Sequence, residues 1–195
     1  MKIKISIILL VLLLLSGCGT GKKSISHSLL SLDEFNNRFI FPERLGQLKK
    51  VDITNYEKDH PGGGYSVIYE SSNTRLDIFA YDQRIVDIPP DIRSELVVNE
   101  FKYSANAVFE MVKRENYKNI TSSKGRYVSL HDHDFWIAEF EFTVNGLDRY
   151  SILALTVHRQ KFFKLRITTL KDKSISYKNI VNELIDEVIW KILKI

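Results

Sequence analysis

The residues best suited to chemistry in this sequence form the short polar run His131-Asp132-His133-Asp134. On an extended strand, side chains two positions apart project from the same face, so His131 and His133 could bind one metal ion together. A catalytic metal would need a third protein ligand, and the candidates are His158, Glu139 and Glu141. The competing interpretation is that the run forms the turn between two strands, because Asp is common in turns. We favour the turn and predict no metal and no cofactor.

Motifs that mark the common catalytic sites are absent from the sequence. It contains no GxSxG, GxxxxGK[ST], GxGxxG or HExxH pattern, which leaves serine hydrolases, nucleotide-binding proteins and zinc proteases without support. The run 61–64, Pro-Gly-Gly-Gly, could bring backbone amides to an anion, but phosphate-binding loops lead into a helix and this run leads into a strand. Glu139 and Glu141 could do acid–base chemistry in a cleft, although charges that alternate along a strand usually face solvent. We therefore predict no catalytic residues and no enzyme activity.

The composition is that of a folded domain without disulfides. The 195 residues include 11 Phe, 9 Tyr and 2 Trp, which is enough aromatic surface to build a core. The single cysteine excludes an internal disulfide and a CxxC redox pair. The net charge is +4, but acidic and basic residues are interleaved along the chain, so we expect no nucleic-acid partner.

The start of the chain has the organisation of a bacterial signal peptide. Residues 1–4 form a short positive segment that contains Lys2 and Lys4, an apolar run follows at 5–15, and two small residues follow that run. The run is too short to cross a membrane, which takes about 20 apolar residues. The sequence Leu15-Ser16-Gly17-Cys18 then places a cysteine after one aliphatic and two small residues. This motif resembles the lipobox of bacterial lipoproteins.

The lipobox resemblance implies how the protein is anchored. In that class the Cys18 sulfur carries a diacylglyceryl group, residues 1–17 are removed, and the new amino terminus at Cys18 receives an N-acyl group. Several acyl chains hold a protein durably on a membrane, whereas a single chain is marginal, so the membrane is the expected partner. Gly19 after the cysteine resembles the pattern of proteins sent to the outer membrane, where they face the periplasm. In a cell with one membrane, the expected location is the outer face of the plasma membrane.

The rest of the chain divides into a tether and one domain. Residues 18–40 lack a periodic apolar pattern and predict a flexible tether, and residues 41–195 predict a single domain. Strands are predicted at 47–56, 65–70, 75–81, 125–130, 135–144, 148–157 and 162–169. Helices are predicted from just after Asp91 to Asn116 and at 176–194, and Asn145-Gly146 predicts a tight hairpin. The order βββ-α-ββββ-α predicts an α+β fold: an antiparallel sheet of about six to seven strands, two helices packed on it, and one face open to solvent.

This order of elements on an exported chain resembles the PsbP-like group. The resemblance covers residues 41–195 and implies a domain whose relatives are binding or assembly accessories rather than enzymes. We therefore expect a non-enzymatic accessory domain of the cell envelope that binds a protein partner through its open sheet face or its loops. Phe79, Tyr81 and Phe162 are candidates for an exposed aromatic patch on that face. The alternatives are a metal-dependent hydrolase using His131 and His133, and a carrier with an apolar cavity for a small ligand.

Overall fold

The structure is a computed structural model that describes residues 39–114, 117–171 and 177–194. The predicted signal peptide (1–17), the predicted lipidation site Cys18 and most of the predicted tether (18–40) lie outside the described residues. Within the described ranges, no helix combines the length and the apolar character needed to cross a bilayer.

The described residues form nine strands and two α-helices. The strands are β1 (Arg44–Leu45), β2 (Leu48–Asn55), β3 (Tyr65–Glu70), β4 (Thr74–Tyr81), β5 (Lys118–Ser122), β6 (Arg126–Leu130), β7 (His133–Val144), β8 (Leu147–His158) and β9 (Lys161–Leu170). The helices are α1 (Glu95–Arg114) and α2 (Tyr177–Val188), and α2 continues into a π-helical turn (Ile189–Leu193). The predicted α+β class is confirmed, with nine strands in place of about six to seven. The additional strands are β1, which has two residues, and β5, a polar and mostly exposed segment without alternation.

All the strands belong to one antiparallel sheet. Its order is β1-β2-β3-β4-β9-β8-β7-β5, and β6 pairs with β7 along the same edge as β5. The β7–β8 hairpin turns at Asn145 and Gly146, whose φ angles of 51° and 76° confirm the tight turn predicted from this pair. At the centre of the sheet, β4 pairs with β9, which places Phe79 opposite Lys164.

Each face of the sheet is covered by one helix. The α2 helix packs on the face that carries Leu165 and Ile167, and α1 packs on the opposite face over β7 and β8. The prediction that one face is open to solvent is therefore wrong for the part beneath α1, where Phe140 and Leu153 are buried. On the same face β4 carries Arg75, whose side chain is half-exposed.

The first helix begins at Glu95, three residues later than predicted. The side chain of Asp91 accepts a hydrogen bond from the backbone N–H of Arg93 at 2.9 Å, and the Asp91 carbonyl accepts one from Ser94 at 3.0 Å. These two bonds form a turn ahead of the helix, because Asp commonly binds the backbone two residues further on. The helix then buries the predicted apolar stripe, including Val97, Phe101 and Val108.

Phe39, which the sequence places in the tether, is part of the core. Its side chain is 1% exposed, and its ring stacks on Phe163 with the ring centres 5.9 Å apart. Close by, Lys50 Nζ donates a hydrogen bond to the carbonyl of Phe41 at 3.0 Å. These contacts fix the start of the described chain on the α2 side of the sheet.

Candidate functional site

The histidine run divides between a turn and a strand. His131 and Asp132, with φ angles of 48° and 66°, form the turn between β6 and β7, which confirms the turn interpretation for these two residues. His133 is the first residue of β7. His131 Nε2 lies 3.1 Å from Oδ1 of Asp186 on α2, within hydrogen-bond distance, so this ring nitrogen already has a partner in the protein. In the part of the chain that the structure describes, no group of three or more His, Cys, Asp or Glu side chains converges on a common point.

His158, the third metal ligand considered from the sequence, lies in aromatic surroundings at the end of β8. Its ring centre is 5.9 Å from that of Phe39 and 6.4 Å from that of Phe163. Its Nε2 is buried and has no hydrogen-bond partner among the described residues. Burial, together with the nearby positive charges of Arg159 and His133, lowers the pKa of His158 to about 4. The imidazole is therefore neutral at physiological pH.

We expect His158 to make the protein less stable in mild acid. In the unfolded chain the pKa returns to about 6.5, so the unfolded state binds more protons between the two pKa values. His158 causes no loss of unfolding free energy above about pH 6.5, and the loss that it causes grows as the pH falls toward 4. Allowing for partial exposure, the loss of unfolding free energy from pH 7 to pH 5 should be about 1–2 kcal/mol smaller in His158→Phe than in the wild type. Urea titrations at both pH values measure this, and equal losses would contradict it.

The glycine run at 62–64 does bring backbone amides to an anion, but the anion is the protein's own. The carboxylate of Glu57, which is buried, accepts hydrogen bonds from the N–H of Gly62 at 2.9 Å and of Gly64 at 2.8 Å. Gly62 and Gly64 have φ angles of 88° and 66°, values that glycine adopts readily. The loop therefore has a structural role in the connection between β2 and β3, and the amides of Gly62 and Gly64 are already bonded to the carboxylate of Glu57.

A buried polar cluster lies between α1 and the sheet, and sequence reasoning missed it. We call it the Glu100 cluster; it consists of Tyr81, Gln83, Glu100, Ser104 and Lys164. Glu100 is 7% exposed and accepts three hydrogen bonds: from Tyr81 Oη at 2.5 Å, Gln83 Nε2 at 2.7 Å and Ser104 Oγ at 3.1 Å. Lys164 Nζ donates to Ser104 Oγ at 3.4 Å. One carboxylate therefore organises residues from α1, β4 and β9.

Burial shifts the proton equilibria of this cluster. It raises the pKa of Tyr81 well above the ordinary value, and the adjacent Glu100 carboxylate raises it further. Burial lowers the pKa of Lys164, an effect that Glu100 opposes and the neighbouring charge of Arg166 reinforces. The phenol therefore stays protonated, and the amine of Lys164 gives up its proton more readily than that of an exposed lysine.

Beyond α1, the same face of the sheet presents a fixed ion-pair group that we call the Arg75 face: Glu70, Arg75 and Asp77. Arg75 Nη1 donates to Glu70 Oε1 at 2.7 Å, and its Nε and Nη2 donate to Asp77 at 3.0 and 2.7 Å. The predicted aromatic patch does not form here, because Tyr81 and Phe162 are buried, 7% and 0% exposed.

A groove of about 690 Å³ lies at the other face, between α2 and one end of the sheet. The β3–β4 turn, the residues before β2 and the exposed ring of Trp190 line it, together with acidic side chains of α2 such as Glu183 and Glu187. Polar and apolar residues both line this groove, whereas the small-ligand carrier considered from the sequence would need an apolar cavity.

The chain is similar to several solved structures of low sequence identity. One is cyanobacterial PsbP (CyanoP) from Synechocystis sp. PCC 6803, with a TM-score of 0.47 and 11% identity over 70% of this chain and 79% of that chain. LpqN, involved in cell envelope biogenesis of Mycobacterium tuberculosis, has a TM-score of 0.39 and 16% identity over 75% of this chain and 79% of its own. A protein of unknown function from Pseudomonas aeruginosa, a putative regulator, has a TM-score of 0.38 and 11% identity, covering 60% and 73%. No protein-family model and no curated protein gives a significant match.

Proposed function

We propose that this protein is a lipid-anchored, non-enzymatic accessory domain of the bacterial cell envelope that binds a protein partner through the Arg75 face. The observation that carries the proposal is the guanidinium of Arg75, which is 47% exposed yet bonded to both Glu70 and Asp77. An exposed arginine already held in one conformation loses little side-chain entropy when a partner binds. Arginine is also enriched among the residues that contribute most to protein interfaces.

Arg75→Ala tests the partner surface, with Lys178→Ala as its matched control. Lys178 is a 61% exposed cation on α2, at the opposite face of the sheet, and its Nζ lies 3.9 Å from Oε2 of Glu139. Lys178→Ala removes an exposed charge and should change the unfolding free energy by no more than about 1 kcal/mol. Arg75→Ala also leaves the carboxylate of Asp77, which is 14% exposed, without its cation, and should cost about 1–3 kcal/mol. Affinity purification of the full-length lipidated protein from solubilised envelopes, followed by quantitative mass spectrometry, measures partner recovery.

We expect the wild type and Lys178→Ala to enrich the same envelope protein and Arg75→Ala to reduce its recovery about tenfold or more, the effect of losing about 1.4 kcal/mol or more of binding free energy. If all three proteins give the same set of recovered partners, the Arg75 face is not the binding surface.

The envelope location rests on Leu15-Ser16-Gly17-Cys18, and Cys18→Ser tests it directly. Without the thiol no diacylglyceryl thioether can form, so the chain loses the acyl chains that would hold it on a bilayer. We expect wild type in the membrane fraction and Cys18→Ser released or retained as an unprocessed precursor, measured by fractionation and intact-mass spectrometry. A processed Cys18→Ser protein that stays with the membrane would contradict lipid anchoring.

A further inference from the structure

The border of the sheet formed by β1 and β2 exposes two aliphatic side chains. Ile40, which precedes β1, is 54% exposed, and Val51 on β2 is 52% exposed. Lys50 binds the two segments together: its backbone N–H donates to the carbonyl of Glu43 and its Nζ to the carbonyl of Phe41, each at 3.0 Å. The segment that carries Ile40 is therefore bonded to the strand that carries Val51. We call this border, residues 40–55, the β1–β2 edge.

Two cations lie directly opposite each other on the β1–β2 edge. Arg44 on β1 pairs in register with Lys49 on β2, and both are exposed. Like charges in directly opposite positions repel each other, so this pairing is unfavourable for the isolated domain. Lys49 also lies opposite Glu70 on β3, but the carboxylate of Glu70 is bonded to Arg75 at 2.7 Å. Within the described ranges Arg44 and Lys49 have no ion pair of their own, so both can bind an external anion.

The acidic residues of the β1–β2 edge leave it with a net positive charge. Glu43 is bonded to Lys50 at 2.6 Å, so these two charges cancel. Asp52 is exposed and balances one of the other two cations. Exposed aliphatic side chains next to an excess of cations suit the surface of an anionic membrane, where apolar groups enter the headgroup region and cations bind lipid phosphates.

The chain that leads to the predicted anchor enters the domain at this edge. Phe39 is fixed in the core, and Ile40 follows it directly. The tether predicted between Cys18 and Phe39 has about 20 residues, and a flexible chain of that length spans about 25 Å on average. Such a tether raises the effective concentration of the domain at the bilayer, so that a patch too weak to bind a membrane by itself can dock.

We propose that the β1–β2 edge lies against the anionic headgroups of the membrane in which Cys18 is anchored. Ile40 and Val51 enter the headgroup region, and Arg44 and Lys49 bind lipid phosphates. This contact rests on the lipid anchor of the proposed function and adds an orientation to it, because the sheet then stands on one edge. Both faces of the sheet stay accessible, including the face proposed to bind a protein partner.

A single fluorescent label on the full-length lipidated protein tests the contact. Cys18 is the only cysteine and its sulfur carries the lipid, so Val51→Cys introduces one free thiol. This variant is labelled with a polarity-sensitive nitrobenzoxadiazole dye and reconstituted into phosphatidylcholine vesicles with and without phosphatidylglycerol. Leu147→Cys is the matched control, because Leu147 is 48% exposed and lies on β8, beyond β3, β4 and β9 from this edge.

We expect the dye at position 51 to emit at shorter wavelength on vesicles that contain phosphatidylglycerol, and the dye at position 147 to emit as it does in water. Adding Arg44→Gln to the Val51→Cys protein should lower the ratio of docked to undocked protein about fivefold, the effect of one cation near an anionic surface. On phosphatidylcholine alone, Arg44→Gln should change the emission little. Circular dichroism establishes that the variants are folded.

Unshifted emission at position 51, or equal shifts at both positions, would overturn the proposal. A shift at position 51 that grows with protein concentration in the absence of vesicles would also overturn it, because the edge would then bind a second copy of the chain. Dye treatment of the wild type separates this failure from failure of the anchor. Dye uptake would show a free Cys18 thiol and overturn the anchor together with the docking, whereas an unlabelled wild type with unshifted emission at position 51 would overturn the docking alone.

Discussion

Gly64→Ala should destabilise the domain by about 3 kcal/mol or more, because the substitution combines an unfavourable backbone conformation with a backbone clash. Gly64 has a φ angle of 66°, and a Cβ atom there would lie 1.9 Å from the carbonyl oxygen of Ala80 and 2.7 Å from the Cα of Tyr81. Both neighbouring atoms belong to the backbone at the end of β4 and cannot rotate away. Moving Gly64 would also break its bonds to Glu57 and Tyr56.

Gly146→Ala is the matched control for this prediction. Gly146 also has a positive φ angle, 76°, but a Cβ atom at that position meets nothing within 4 Å. The control therefore carries the conformational cost alone, about 1–2 kcal/mol. Chemical denaturation of both variants isolates the contribution of the clash. Equal losses of stability would show that the β2–β3 loop moves freely away from β4, contrary to its hydrogen bonds.

Most of the sheet was predictable because the sequence patterns that mark its strands and turns lie within short segments of the chain. The strand at 65–70 has the same limits in the prediction and in the structure, and Asn145-Gly146 correctly located the β7–β8 turn. The alternation of apolar and polar residues reveals a strand only when one face of the strand is buried and the other is exposed. The segment 118–122 has four exposed residues out of five, so its pattern carried no such signal, and only its pairing with β7 makes it a strand.

The Glu100 cluster could not be predicted because its members are brought together by packing between distant parts of the chain. Alternation with Phe163 and Leu165 correctly places Lys164 on the opposite face of β9, but it does not reveal that α1, about 60 residues earlier, approaches that face. A weaker signal was present in the helix itself. Glu100 lies three residues after Val97 and next to Phe101, which places a carboxylate beside the buried stripe.

Glu100→Ala should cost about 3–5 kcal/mol of unfolding free energy, because it removes one member of a buried charged network and leaves the others without a partner. Tyr81, Gln83 and Ser104 each lose a hydrogen bond to the carboxylate, and the amine of Lys164 loses the nearby negative charge. Glu95→Ala is the control, since Glu95 is an exposed glutamate in the first turn of the same helix. Its removal should cost about 0.5 kcal/mol, the value of an acidic residue near a helix N-terminus.

The pH dependence of this deficit distinguishes an uncompensated charge from a simple cavity. Without Glu100 the pKa of Lys164 falls further below its unfolded value, so between those two values the unfolded state binds more protons and stability rises with pH. This effect makes the deficit of Glu100→Ala smaller at about pH 9 than at pH 7. A cavity left by the side chain would cost the same at both pH values, and that result would mean that packing, not the charge of Glu100, stabilises the contact between α1 and the sheet.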